Sequence, residues 1–227
     1  MKLLKKYIKS LILEISQEDV EDSTNPLDWI IAAYEDYRSW HDEDGEKSTD
    51  EYWAMFDAAK SFGLTYLGRG SARRVFAIGS DKVVKLAKDK RGLAQNKIEA
   101  FAGNDSFASE ILAEVYDYDA VDFAWIVAER LTPLEDGEES IAEELIGVPW
   151  TDIKKMLGLK DDELEHSYTS WAEPNLKFMK NFESFLHRYA GLLEGDIAKT
   201  SSWGIKKDGS LALLDYGITR KAFKETY

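Results

Sequence analysis

Apolar residues recur every three or four positions at Leu3, Leu4, Tyr7, Ile8, Leu11, Ile12 and Ile15, which predicts a helix over residues 1–17. Lys2, Lys5, Lys6 and Lys9 interrupt the pattern, making the helix basic and amphipathic and too broken for a secretory apolar core. It reads as a helix docked on the domain, with a targeting or partner-binding tail as the alternative. After an acidic stretch over 18–26, residues 27–40 repeat the helical spacing through Trp29, Ile30, Ala33, Tyr37 and Trp40. Residues 41–51 carry six carboxylates without the ligand spacing of a calcium loop and read as solvated loop. A short helix is expected over 52–61. Residues 1–61 therefore form a helical extension.

From Phe62 the period changes to that of strands. Short runs at 64–67, 74–78 and 82–87 are punctuated by Gly68, Gly70 and Gly79, and Gly79-Ser80-Asp81 is tight-turn chemistry. A helix is expected over 93–102, then strands over 113–118 and 124–130. The spacing is helical again over 141–193, best over 176–193. Two final strands, 203–206 and 210–214, flank Asp208-Gly209, a strong hairpin signal. The chain is thus of the α+β class, with a sheet-rich part over 62–134 and a helical part over 135–227.

Composition narrows the chemistry. In 227 residues, 29 Lys and Arg face 43 Asp and Glu, a formal charge of −14. Such a field repels nucleic acid and anionic lipid, so neither is an expected partner. With no cysteine, there is no disulfide framework or thiolate metal site. The three histidines, His41, His166 and His187, are far apart and lack metal-ligand spacing. No apolar run approaches the ~20 residues of a membrane span, and a soluble, cytoplasmic protein is expected.

Three short patterns carry chemistry. Gly68 and Gly70 in a strand-turn-strand let backbone N–H groups approach phosphate oxygens, although a plain β-turn uses glycines equally well. Lys85 stands among apolar residues in Val83-Val84-Lys85-Leu86-Ala87, facing either a cleft or the water beyond an edge strand. Glu99 on the next helix supplies a carboxylate for it. Asp215, in Leu213-Leu214-Asp215-Tyr216-Gly217, exposes an acid at a strand end, suited to a hard cation.

In this order the patterns resemble the protein-kinase-like superfamily, over residues 62–219. The segment 67–75 resembles its glycine-rich loop, with Gly68, Gly70 and Val75 on loop positions. Val83-Val84-Lys85-Leu86 is similar to the strand whose lysine pairs nucleotide phosphates. The resemblance implies that Glu99 partners Lys85 and that Ala128 is the gatekeeper. It also implies that the backbone of 129–131, from Glu129 to Leu131, binds adenine. Asp215-Tyr216-Gly217 resembles Asp-Phe-Gly, which makes Asp215 a Mg²⁺ ligand. Gly195-Asp196 resembles the catalytic loop, with Asp196 accepting the proton of an attacking hydroxyl and Lys199 approaching the transferred phosphate. The implied fold is an antiparallel-sheet N-lobe followed by a reduced helical C-lobe, and the implied cofactors are ATP and Mg²⁺.

The chain departs from the pattern in three places. Arg73, a cation expected to face phosphate, replaces the third loop glycine. Ser202 stands where an asparagine would bind a second metal. Only ten residues follow Gly217, too few for a full activation segment. Short kinase-like proteins of tailed phages resemble this chain in ending soon after Asp-Tyr-Gly, and they have Asn-Trp-Gly where it has Ser202-Trp203-Gly204. The first eight residues resemble myophage leaders, and Ile12-Leu13-Glu14 fits a prohead-protease pattern. The expected function is an ATP/Mg²⁺-dependent phosphotransferase of unknown acceptor. The alternatives are a nucleotide-binding pseudokinase or a packaged phage protein, either of which would contact a host or phage partner through residues 1–61. Trp150, Trp171 and Trp203 are expected in the core, and Glu194 at a helix end.

Overall fold

A computed structural model of the chain describes residues 25–44, 59, 63–70, 72–103, 105, 108–159, 173–189 and 191–216. The helix expected over 1–17, the tripeptide 12–14, Trp171 and Gly217 lie outside these residues. Of the helix expected over 52–61 only Ala59 is described, helical and buried.

Asn25 opens the first helix, α1 (Pro26–Asp44), by accepting the Leu27 N–H on its side-chain oxygen at 3.1 Å. Pro26 occupies the first helical position, where its missing N–H is harmless. The helix runs through 41–44, which the acidic composition had assigned to a loop, because no glycine or proline breaks it before Gly45. Trp29, Ile30 and Tyr34 are buried.

The strands are β1 (Leu64–Arg69), β2 (Arg73–Ile78), β3 (Lys82–Ala87), β4 (Val115–Tyr118) and β5 (Trp125–Glu129), in a five-stranded sheet of order β1-β2-β3-β5-β4. β3 and β5 are antiparallel, with Lys85 opposite Ile126 and Val83 opposite Ala128, so these four side chains share a face. Helix α2 (Lys90–Gly103) starts three residues earlier than the apolar pattern predicts. Asp89 caps it, its Oδ1 accepting the N–H groups of Arg91 at 2.9 Å and Gly92 at 3.1 Å. Gly92 is demanded by packing: a Cβ there would lie 2.4 Å from the Ala72 carbonyl oxygen.

The helical span expected over 141–193 is divided into α3 (Glu139–Ile146), α4 (Trp150–Met156) and α5 (Glu173–Arg188). A short α6 (Glu194–Ile197) and a 3₁₀ turn (Thr200–Ser202) follow. A second sheet holds β6 (Thr132–Pro133), β7 (Trp203–Ile205) and β8 (Leu211–Leu213) in that order. Sequence reading had passed over β6 because two residues carry no periodicity. Gly209 closes the β7–β8 hairpin with φ of 88°, as Asp208-Gly209 predicts. The core of this region joins Trp150, Trp203, Ile153, Met179, Phe182 and Phe185, with the Trp150 and Trp203 rings edge-on at 5.5 Å.

By its contacts the chain forms two compact units, residues 1–68 with 75–80 and residues 69–74 with 81–227. In the first, Tyr66 and Phe76 pack ring to ring at 5.4 Å. Everything described below as the site, apart from Gly68 and Val75, belongs to the second. Among the described residues no helix is long and apolar enough to cross a membrane.

Candidate functional site

The buried face of α2 mixes the small residues Gly92, Ala100 and Ala102 with polar ones. Gln95, Asn96 and Glu99 occupy the stripe where a docked helix normally places apolar residues. Glu99 meets Lys85 of β3, whose Nζ lies 2.6 Å from Oε2, and both side chains are almost wholly buried. Lys85 also donates to the Leu214 carbonyl at 2.6 Å. It is therefore no edge-strand lysine reaching for water: β3 is central in the sheet, and Lys85 is 5% exposed.

Arg73, the residue in place of the third loop glycine, joins the same cluster. Its guanidinium Nη2 lies 2.7 Å from Glu99 Oε1 and donates to Asp215 Oδ1 at 2.6 Å, while Nη1 donates to Asn96 Oδ1 at 3.3 Å. Sequence reading had expected a phosphate-facing cation; the side chain is instead 5% exposed and bound to carboxylates. Asn96, which the sequence did not single out, fixes this geometry by donating to the Phe123 carbonyl at 2.8 Å. No apolar-pattern signal marks it, since its role is hydrogen bonding inside a helix.

Two cations thus face two carboxylates in a chain Lys85–Glu99–Arg73–Asp215 that is buried up to its last member. Burial pulls the Lys85 ammonium below its ordinary value, Glu99 opposing and Arg73 reinforcing that shift. Burial works to raise the Glu99 carboxyl, but Arg73 and Lys85 overcome it and hold the group below its ordinary range. Arg73 is raised overall, since Glu99 and Asp215 outweigh its burial. The opposite charges of the cluster stabilise one another, as buried charges require.

Asp215 follows β8 directly. The Leu213 N–H donates to the Ile111 carbonyl at 2.8 Å, and the Leu214 and Asp215 N–H groups donate to the Ser202 carbonyl at 2.9 and 3.3 Å. The Asp215 side chain is half exposed. Tyr216 packs edge-on to Phe185 in the core, and burial pushes its hydroxyl well above the ordinary value.

The Asp196 segment is held from beneath. Trp203 Nε1 donates to the Ile197 carbonyl at 2.8 Å and Trp150 Nε1 to the Ala198 carbonyl at 3.2 Å. Trp150 and Trp203, two of the three tryptophans expected in the core, are there, and they also anchor the turn between Asp196 and Lys199. The Lys199 ammonium lies 2.6 Å from Asp196 Oδ1, an exposed pair that raises Lys199 above its ordinary value chiefly through that hydrogen bond. Ser202 Oγ donates to the Asp196 carbonyl at 2.7 Å, which commits its proton. Asp196, Lys199, Ser201, Ser202 and Asp215 line one cavity of about 200 Å³, with Leu193, Ile197 and Tyr216.

Gly68 lies in β1 and Gly70 follows it; neither has a positive φ, and a Cβ on Gly68 would meet no atom within 4 Å. A turn therefore does not require glycine at these positions. Val75 is half-buried in β2. At the end of β5, the Glu129 N–H donates to the Glu114 carbonyl at 2.7 Å and the Arg130 N–H to the Asp81 carbonyl at 2.8 Å. Leu131 packs with Ala113, Ala212 and Leu214. The structure thus brings together Lys85, Glu99 and Asp215, and separately Asp196, Lys199, Ser202 and Asp215.

No protein-family model matches the chain, and no curated protein does. It is similar to several solved structures. The GDP complex of wild-type aminoglycoside 2'-phosphotransferase-IIIa is 12% identical, over 69% of this chain and 68% of that one, with a TM-score of 0.34. A choline kinase from Streptococcus pneumoniae is 14% identical, over 75% and 69%, at 0.36. SAICAR-synthase from Saccharomyces cerevisiae, complexed with SAICAR, is 13% identical, over 67% and 73%, at 0.35.

Proposed function

We propose that this chain is a kinase-like, nucleotide-binding protein that transfers phosphate from ATP to an acceptor hydroxyl. The observation that carries the reading is the buried Lys85–Glu99 pair, held 2.6 Å apart, with Lys85 also bonded to the residue preceding Asp215. A lysine is almost never fully buried unless it is paired, and here the pair stands next to the Asp215 segment. Lys85 would turn its ammonium to the α- and β-phosphates, with Glu99 keeping it oriented. Gly68 and Gly70 would leave room for backbone N–H groups at the phosphates, and the backbone from Glu129 to Leu131 would receive adenine.

Asp196 would accept the proton of the acceptor hydroxyl, and Lys199 would face the transferred phosphate. The cavity beside them, about 200 Å³, is smaller than the ~300–1,000 Å³ of a site that encloses a whole ligand. It suits the reacting groups alone.

Among the described residues no three His, Asp or Glu side chains converge on one point. That donor set does not suit a metal caged by protein, but it fits Mg²⁺, which typically takes one or two carboxylates and the substrate's phosphates. Asp215 would hold the ion, with Ser202 as a neutral oxygen donor, and the bound ion would neutralise phosphate charge.

A second reading is a nucleotide-binding pseudokinase. The ion pair of Arg73 with Asp215 favours it, because it engages the carboxylate that catalysis needs.

Thermal unfolding with ATP, with and without Mg²⁺, tests the common part of both readings. Saturation at ~100 times the dissociation constant adds ~2.7 kcal/mol of stability, and Lys85→Ala is expected to remove the shift. No shift at millimolar ATP would sink both. Labelled ATP then separates them, since only the first transfers phosphate.

A further inference from the structure

Arg73 bridges two carboxylates as a divalent cation would, with Nη2 placed 2.6 Å from Asp215 Oδ1 and 2.7 Å from Glu99 Oε1. We propose that Arg73 is the resident cation of this site: its guanidinium takes the position beside Asp215 that a divalent metal would otherwise take, and so keeps the nucleotide-free protein from binding metal there. The inference rests on reading Asp215 as the metal-side carboxylate. Its test uses metal alone, so it is independent of whether nucleotide binds.

Charge and geometry agree. Lys85 and Arg73 balance Glu99 and Asp215, so no surplus negative charge is left to attract an ion. A second cation brought against Asp215 would be repelled by the Arg73 guanidinium already 2.6 Å from its Oδ1. The guanidinium keeps its charge at neutral pH, so the competition does not relax there. Asn96 anchors Nη1 at 3.3 Å, which fixes the fork. A glycine at this position would leave the Glu99 and Asp215 carboxylates with Lys85 as the remaining cation of the cluster.

The probe is Mn²⁺, titrated against the full chain at neutral pH and followed by electron paramagnetic resonance. Wild type and Asp215→Asn are expected to give the same isotherm. Arg73→Gln is expected to gain a site at least tenfold tighter, absent from Arg73→Gln/Asp215→Asn, while Arg73→Lys, which keeps the charge, gains none. The proposal is overturned if wild type holds Mn²⁺ in an Asp215-dependent way, or if folded Arg73→Gln gains no site. The wild-type and Asp215→Asn comparison can overturn it even if Arg73→Gln does not fold.

Discussion

The Lys85 ammonium donates to the Leu214 carbonyl at 2.6 Å, across 129 residues of sequence. It ties the central strand β3 to the segment that carries Asp215, and the same nitrogen pairs with Glu99. A nucleotide phosphate that engages Lys85 must share or displace these partners. The site is therefore a self-compensated charge cluster before any ligand arrives, and the stability of the fold and the chemistry of the cleft depend on the same side chains.

Replacing Glu99 by Gln leaves Lys85 and Arg73 buried side by side with their shared counter-charge removed. Breaking a buried pair from one side costs ~3–5 kcal/mol, and here Lys85 loses its carboxylate while Arg73 keeps Asp215 alone. Glu99→Gln is expected to lower stability by at least that amount, and more than Lys85→Met, which leaves Glu99 paired with Arg73. Urea unfolding of the two variants measures the difference.

The acid side of the stability profile follows from the same carboxyl. Glu99 titrates below its ordinary 4.5 in the folded chain, so above that pH both folded and unfolded states are ionised and the stabilisation is fully present. As the pH falls below 4.5 the unfolded state takes up the proton first, and the contribution drains away until the folded value is passed. Unfolding midpoints between pH 7 and roughly pH 3 should fall steeply in wild type. They should fall less in Glu99→Gln, the remainder coming from groups such as Asp89, which burial raises but its hydrogen bonds with Arg91 and Gly92 hold low overall.

Strand period and turn chemistry made β3, β5 and the β7–β8 hairpin legible, because burial on a pleated face leaves an alternating or continuously apolar run. Lys85, Glu99 and Asp215 were legible by their order in the chain. Arg73 was visible as an oddity, but its partners were not: an ion pair between residues 142 apart leaves no local pattern. The start of α2 was misplaced for a related reason. Its inward stripe includes Gln95, Asn96 and Glu99, so the apolar period weakens where the helix matters most. The full extent of α1 was hidden by acidic residues at 42–44, which composition assigns to loops.

Asp196 and Lys199 form a pair with side chains 37% and 55% exposed, and exposed pairs contribute ~0–1 kcal/mol. Asp196→Ala should leave the melting temperature within about 4 °C of wild type. If Asp196 is the proton acceptor, transfer of labelled phosphate should drop ~10²-fold or more. Transfer that persists at the wild-type rate would remove Asp196 from the chemistry.

Gly204 in β7 has no room for a methyl group. A Cβ there would stand 2.7 Å from the Leu131 Cβ, 2.9 Å from a Leu214 methyl and 2.9 Å from the Thr132 carbonyl oxygen. Two of these atoms belong to strand-end side chains and the third to backbone, so relief requires β6 to move. Gly204→Ala should destabilise the chain by ~1–3 kcal/mol, the usual result of overpacking. It should also weaken the nucleotide-induced thermal shift, because Leu214 supplies the carbonyl that Lys85 holds.

Trp203 has two tasks that a phenylalanine can separate. Its rings fill the core against Phe182 and Trp150, and its N–H holds the Ile197 carbonyl at 2.8 Å. Trp203→Phe keeps an aromatic ring but leaves that carbonyl without its buried donor, at a cost of ~1–3 kcal/mol. Trp150→Phe removes the longer bond to Ala198, 3.2 Å, from the same turn. If these bonds hold the Asp196 segment in place, amide hydrogen exchange over 194–199 should speed up in both variants, and more in Trp203→Phe. Exchange that rises uniformly through the core would instead mark a global loss of stability, with no special hold on the loop.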